Sequence, residues 1–178
     1  MHWVTAASAR ITPPRGAFVP TASAKDGSGP HYPDFADCYG CGPDHPSGLQ
    51  IRTLGPAGPN AIAEFTVRAE HQGAAGLAHG GVLAVAMDEA IGIAVWSLSG
   101  AYVTARLEVD YLLPVPVGAT LRIRTRCIGA HRRKVYAEAE ALLGGADGPI
   151  AVRAAALYVE VPSTEFRTDR ANWPSHPD

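Results

Sequence analysis

Little in this chain is strongly biased, and each shortage removes a class of protein. Only three of 178 residues are cysteine: Cys38, Cys41 and Cys127. A small, odd number makes no disulfide framework, and a reducing compartment is the simpler expectation. Charge of neither sign dominates, with 15 Lys and Arg against 17 Asp and Glu. That balance points to neither nucleic acid nor an anionic membrane. Long apolar runs are scarce too. The best, Val82 to Leu98, is barely long enough to span a bilayer and carries Asp88 and Glu89 at its waist. Each charge would cost about 2.5 kcal/mol or more there, so the run reads as a core helix. The N-terminus lacks a basic patch followed by an apolar stretch, which argues against a secretory signal. Its Ala/Ser-rich start, with Arg10 and Arg15 and no acid before Asp26, has the composition of an organelle transit segment. A cytoplasmic location is the expectation, an organelle the alternative.

What is present suits one globular domain, with 47% apolar and 18% charged residues. Residues 1–33 are rich in Ala, Ser, Pro and Gly and read as a mobile leader. Residues 163–178 read as a polar tail, pinned by Trp173. Between them, residues 34–162 carry the periodic patterns. Ala61 to Ala69 alternates as a strand. A glycine-rich loop, His71 to Ala78, leads into the apolar helix, which Gly100 ends. Tyr102 to Leu113 and Thr120 to Ile128 alternate as strands, and Lys134 to Leu143 and Ile150 to Val161 are strand-like as well; PVPVGA, GAHR and GGADGP separate the four. One strand, one helix and four strands fit an α+β fold, an antiparallel sheet wrapped around one long central helix.

The helix holds the chemistry. Gly80 and Gly81 after His79 leave backbone N–H groups open at the positive end of the helix dipole, a place for an oxygen that gains negative charge. The same glycines also serve a tight turn or close packing. Asp88, a carboxylate inside an apolar helix, needs a reason. It is either held by a cation such as Arg106 or acts as a general base or nucleophile. Glu89 lies about 100° further round the helix and reads as a bystander at an edge or interface. Gly80 and Asp88 are eight residues apart, about 12 Å along one helix. One reacting carbon cannot touch both, so a joint site needs two antiparallel helices from two chains.

The run HGGVLAVAMDEAIG, with Gln72-Gly73 upstream and VTARLEVDYLLPVPVG downstream, resembles the PaaI-like (phenylacetate-pathway type) acyl-CoA thioesterases of the hotdog fold. CYGCGPDHPSGLQI resembles a segment found before the first strand in many of them. The resemblance covers about residues 35 to 161. It implies hydrolysis of an acyl- or aryl-CoA, with coenzyme A as part of the substrate and no separate cofactor or metal. By it, the Gly80 N–H polarises the thioester carbonyl, His79 shapes the site, Asp88 attacks or activates water, and Thr104 places that water. It also implies that acid and hydroxyl come from the subunit opposite the His-Gly-Gly, in a homodimer or dimer of dimers. Some relatives have Asn or Gln in the preceding loop; here the aligned position is near Gly73, and Gln72 stands beside it as the candidate. The alternatives are a dehydratase or hydratase on acyl thioesters, and a non-catalytic acyl-CoA-binding module.

Two clusters remain. Cys38-x-x-Cys41 invites a metal or redox reading, with His45 as a third ligand. A structural zinc wants four ligands and no second such pair exists, so the expectation is a turn that packs its cysteines beside the sheet. Arg132, Arg133 and Lys134 at a hairpin tip are candidates for the phosphates of coenzyme A; a solvated tip explains them equally well. Arg122, Arg124 and Arg126 line one strand face that is expected to be exposed.

Overall fold

His79 caps the helix on which the fold is built. Its Nδ1 accepts a hydrogen bond from the Gly81 N–H at 3.0 Å, satisfying one donor that a helix start leaves open. The structure is a computed structural model and describes residues 8–21, 35–55, 58–98 and 100–162. The expected tail, Trp173 included, lies outside the described residues.

The elements in chain order are β1 (Arg52–Thr53), β2 (Ile62–Thr66), helix α1 (Gly80–Trp96), β3 (Ala101–Tyr111), β4 (Thr120–His131), β5 (Lys134–Leu143) and β6 (Ile150–Val161). The strands form one antiparallel sheet in the order β1-β2-β4-β5-β6-β3. α1 packs against β2 through β6. This is the expected arrangement of one sheet around one helix. The helix is apolar on most sides because the sheet curls around it. Cross-strand rows on the inner face explain how it fits. Ile123 pairs with Ala141 and Ala141 with Val152; Cys127 pairs with Ala137 and Ala137 with Ala156. These residues join the buried core with Met87, Ala90 and Ile91 of α1. Alanine in the central strands keeps the sheet floor low, so larger helix side chains fill the space without a void. Register shifts at Thr104/Arg106 and Cys127/Gly129 add the bends that a curling sheet needs. Among the described residues no helix is long and apolar enough to cross a membrane.

Several boundaries differ from the sequence expectation. α1 stops at Trp96, short of Gly100. The Ser97 hydroxyl donates to the Ala94 carbonyl, and Leu98 N–H turns back to Val95. Side-chain competition for the backbone thus ends the helix before the glycine is reached. β4 runs on to His131 through its bulge, and the first predicted strand shrinks to β2, followed by a short 3-10 turn at Ala69–His71. β1 was not expected; two residues are too few for a pattern. The largest departure concerns the leader. Residues 8–21 are packed on the protein, not loose. Ile11 is fully buried, Phe18 and Ala130 exchange backbone hydrogen bonds at 3.1 and 2.7 Å, and Ser8 binds Glu108. This segment lies close over β4, where a Cβ built on Gly129 would collide with Pro13 at 2.8 Å. A proline- and alanine-rich segment has no period to betray such docking.

Candidate active site

The sequence question at Asp88 has a geometric answer. Its Oδ1 accepts a hydrogen bond from the Thr104 hydroxyl of β3 at 2.9 Å. The Tyr158 hydroxyl of β6 lies 2.9 Å from both Asp88 Oδ1 and the Asp88 carbonyl oxygen. Thr104 and Tyr158 are register partners on neighbouring strands, so the sheet itself presents both hydroxyls to one helix position. Oδ2 receives no donor among the described residues. The alternative of a holding cation does not apply, because Arg106 bonds Glu108 at 2.8 Å instead. Burial, then the nearby Asp88 charge, pushes the Tyr158 phenol far above its ordinary pKa. It therefore stays a neutral donor throughout the physiological range. Tyr158 was not singled out from the sequence; its place opposite Thr104 is visible only once the strands are paired.

The helix N-terminus is a second, separate group. The Gly80 N–H donates to no acceptor among the described residues. The Tyr111 hydroxyl of β3 donates to the Gly80 carbonyl at 2.9 Å. A Cβ built on Gly80 would meet only the Tyr111 ring, at 3.5 Å, which is ordinary contact. Packing within this chain does not require glycine here, so the tight-packing explanation loses its ground at Gly80. His79 caps the helix and its side chain is tied to Gly81. Gln72 does not join the group: its Oε1 accepts from the Gly76 N–H at 2.8 Å and braces the loop. Asp88 and Thr104 share a cavity whose lining includes none of Gly80, His79 and Gln72. One chain thus brings the acid and the hydroxyl together and leaves the backbone donor elsewhere.

That cavity, of about 380 Å³, is mostly apolar and is lined by Phe35, Ile93, Trp96, Tyr102 and Val103 together with Asp88 and Thr104. Phe35 meets Trp96 edge-on, with ring centroids 5.0 Å apart, and closes one side. Glu89 also lines it, which corrects the reading of this residue as a bystander. One step of 100° carries its carboxylate over the Cys38–Cys41 turn, where the Cys38 thiol donates to Oε2 at 3.7 Å. Burial and the Glu89 carboxylate together raise the Cys41 pKa well above that of a free thiol. His45 stands apart: its Nδ1 accepts from the Ser47 N–H and its ring packs on Tyr39.

The hairpin tip is partly committed to structure. Arg133 donates through Nε and Nη2 to the Glu160 carbonyl at 2.9 and 2.7 Å. Arg132 and Lys134 are exposed, and Arg132 sits in the left-handed region at φ 54°. Lys134 pairs with Val159, and Val159 with Val103 of the cavity lining, which places the tip at the cavity end of the sheet. Of the strand-face arginines, Arg124 and Arg126 are exposed as expected, while Arg122 is half-buried; Arg122 pairs with Glu64 and Arg126 with Glu138.

Residues 75–146 match the model of the thioesterase superfamily. Over that stretch the chain is similar to the thioesterase superfamily, and the sheet wrapped around α1 is a hotdog fold. A curated relative, acyl-coenzyme A thioesterase THEM4 of Xenopus laevis, is 30% identical over 90 residues, which is 51% of this chain and 40% of that protein. The chain thus spans well under two thirds of that relative. A solved structure of a point mutant of the phenylacetic acid degradation protein PaaI from Thermus thermophilus is 26% identical. The likeness covers 64% of this chain and 95% of that one, with a TM-score of 0.58. A hypothetical thioesterase from Streptococcus pneumoniae, solved with coenzyme A, is 20% identical over 62% of this chain and 85% of its own, with a TM-score of 0.58. At that identity it speaks for the fold alone. The matched stretch holds Gly80, Asp88 and Thr104, while Phe35, Cys38, Cys41 and Tyr158 of the cavity around Asp88 come from outside it.

Proposed function

We propose that this hotdog-fold domain hydrolyses an acyl- or aryl-CoA thioester to the free acid and coenzyme A, in a site shared by two chains. The observation that carries the reading is the Asp88 carboxylate. Its Oδ1 is fixed by two hydroxyls while Oδ2 is left for a ligand in an apolar cavity. An acid held in one orientation by donors that do not neutralise it is suited to general-base or nucleophilic work. Thr104 gives its proton to Asp88 and keeps lone pairs. A water donating one hydrogen to Oδ2 and one to the Thr104 oxygen would aim its own lone pair away from both. The thioester carbonyl oxygen would gain charge on attack, and the uncommitted Gly80 N–H at the helix start is the donor for it.

Eight residues of one helix separate Gly80 from Asp88, about 12 Å, so the two halves meet only if a second chain supplies one of them. β3 favours this: it is the long edge strand, opposite the two-residue edge β1, and Val103, Tyr111 and nearby Leu113 are exposed apolar residues at 41%, 53% and 39%. An unpaired edge with apolar side chains is a pairing surface. A two-fold pairing there would form two sites per dimer. The likeness to an acyl-coenzyme A thioesterase of Xenopus laevis supports the substrate class. The exposed Arg132 and Lys134 are the candidates for coenzyme A phosphate.

The deciding variant is Asp88→Asn, assayed by release of free thiol from a panel of acyl- and aryl-CoA esters. Turnover is expected to fall by about 10² to 10⁴-fold, the usual share of a general base. Wild-type turnover in the variant would sink the mechanism. Conversion of an enoyl-CoA without thiol release would indicate the hydratase reading, and binding with no reaction the acyl-CoA-binding module.

A further inference from the structure

Cys38, Cys41 and Glu89 place one ligand atom each within 4.8 Å of one another, on the wall of the cavity. The sequence offered only two of the three, because Glu89 is 48 residues beyond Cys41. The turn that carries the thiols is tightly specified. The Gly42 N–H donates back to the Cys38 carbonyl at 2.8 Å, and a Cβ on Gly42 would collide with the backbone of Ala36 and Cys38. Gly40 makes room for the third group: a Cβ there would occupy the place of the Glu89 carboxylate. Two glycines thus let two thiols and a carboxylate converge. No Lys, Arg or His forms an ion pair with Glu89 among the described residues. A half-buried carboxylate facing two thiols and no cation is an electrostatic imbalance.

We propose that Cys38 Sγ, Cys41 Sγ and a Glu89 carboxylate oxygen form a site for one thiophilic divalent cation of the zinc class, with its remaining position open to the cavity. The donor set fits. Two thiolates and one carboxylate are usual zinc ligands, and three protein ligands with a fourth position open is the pattern of an accessible rather than a closed site. Sulfurs on a tetrahedral zinc stand roughly 3.8 Å apart for bonds of about 2.3 Å; Cys38 Sγ and Glu89 Oε2 are already 3.7 Å apart, and no pair of the three atoms has to close by more than about 1 Å. Charge balances as well. Binding releases two thiol protons to solvent, and the cation's two charges replace them, leaving the local charge at that of the single carboxylate.

The test uses the full chain, freed of metal with a chelator and titrated with Co²⁺ and with Zn²⁺. The expected result is one cation per chain, a thiolate-to-cobalt charge-transfer band, and protection of two thiols from a thiol reagent by Zn²⁺. The band should vanish in the Cys38→Ser/Cys41→Ser double variant, and Glu89→Gln should keep it while binding Co²⁺ about tenfold or more weakly. Circular dichroism checks that the variants are folded. If the double variant does not fold, Zn²⁺ protection of the wild-type thiols decides alone. Unchanged thiol reactivity, a cobalt spectrum without charge transfer, or unaltered affinity in Glu89→Gln would each overturn the site. None of these readouts depends on hydrolysis, so the proposal stands or falls apart from the thioesterase reading.

Discussion

Thr104 and Tyr158, partners across the β3–β6 ladder, both reach Oδ1 of Asp88 at 2.9 Å. Backbone pairing therefore sets the orientation of the carboxylate. Removing one hydroxyl should loosen it without removing the charge. Tyr158→Phe also leaves the Asp88 carbonyl without its side-chain donor. Turnover is expected to fall about 10- to 100-fold, with stability lower by about 1 kcal/mol, the net worth of a typical hydrogen bond. Thiol-release kinetics beside thermal melting separate the two effects. A variant as fast as wild type would mean that Tyr158 does not position Asp88.

Gly80 offers a sharper separation of folding from function. A methyl there finds room beside Tyr111, and alanine is the better helix former. Gly80→Ala should melt at or slightly above the wild-type temperature. The same methyl would stand where a carbonyl oxygen must approach the N–H, so turnover should drop at least about tenfold. Loss of stability together with activity would point back to a packing role.

The hairpin tip should divide by residue. Arg133 is held on the Glu160 carbonyl, whereas Arg132 and Lys134 are free to meet solvent or ligand. Changing Arg132 and Lys134 together to Ala should raise KM for acyl-CoA several-fold and spare kcat and small thioester analogues. Arg133→Ala should act mainly on stability. An equal KM change for acyl-CoA and small analogues would remove phosphate binding from the account.

Alkaline stability should report on Cys127, which burial pushes up from 9.0 to about 12. Its folded pKa lies above the unfolded value, so the neutral thiol favours the folded state. That contribution is complete below about pH 9 and is lost as pH rises toward 12. Over this window the wild type should lose up to about 1.4 kcal/mol per pH unit more than Cys127→Val. Cys41 is raised in the same direction and is present in both chains, so the difference isolates Cys127. Parallel denaturation curves would contradict it.

Periodicity made the helix and part of the sheet legible before any coordinates, because β4 alternates over Thr120 to Gly129, β5 over Ala137 to Ala141, and α1 has no competing pattern, whereas β6 is buried without a break from Ala151 to Ala156. Asp88 stood out for a simple reason: a charge in an apolar helix has to be explained. The helix end was misplaced at Gly100 because Ser97 ends it through its own hydroxyl. Tyr158 and Glu89 stayed hidden for a different reason. Their roles depend on which strand lies beside which, and on which way a turn 48 residues away faces. Composition misled for residues 8–21, since Ile11 docks alone and Phe18 pairs only through its backbone, which leaves no period.

β3 carries Thr104 at the acid, Tyr111 at the helix start, and the exposed edge of the sheet. Edge strands are commonly made safe by adding charges or proline along them. Here such a change would fall among the residues that touch Asp88 and Gly80. The eleven residues of β3 are therefore subject to two kinds of selection at once, and this strand should tolerate less drift than its position at the margin of the sheet suggests.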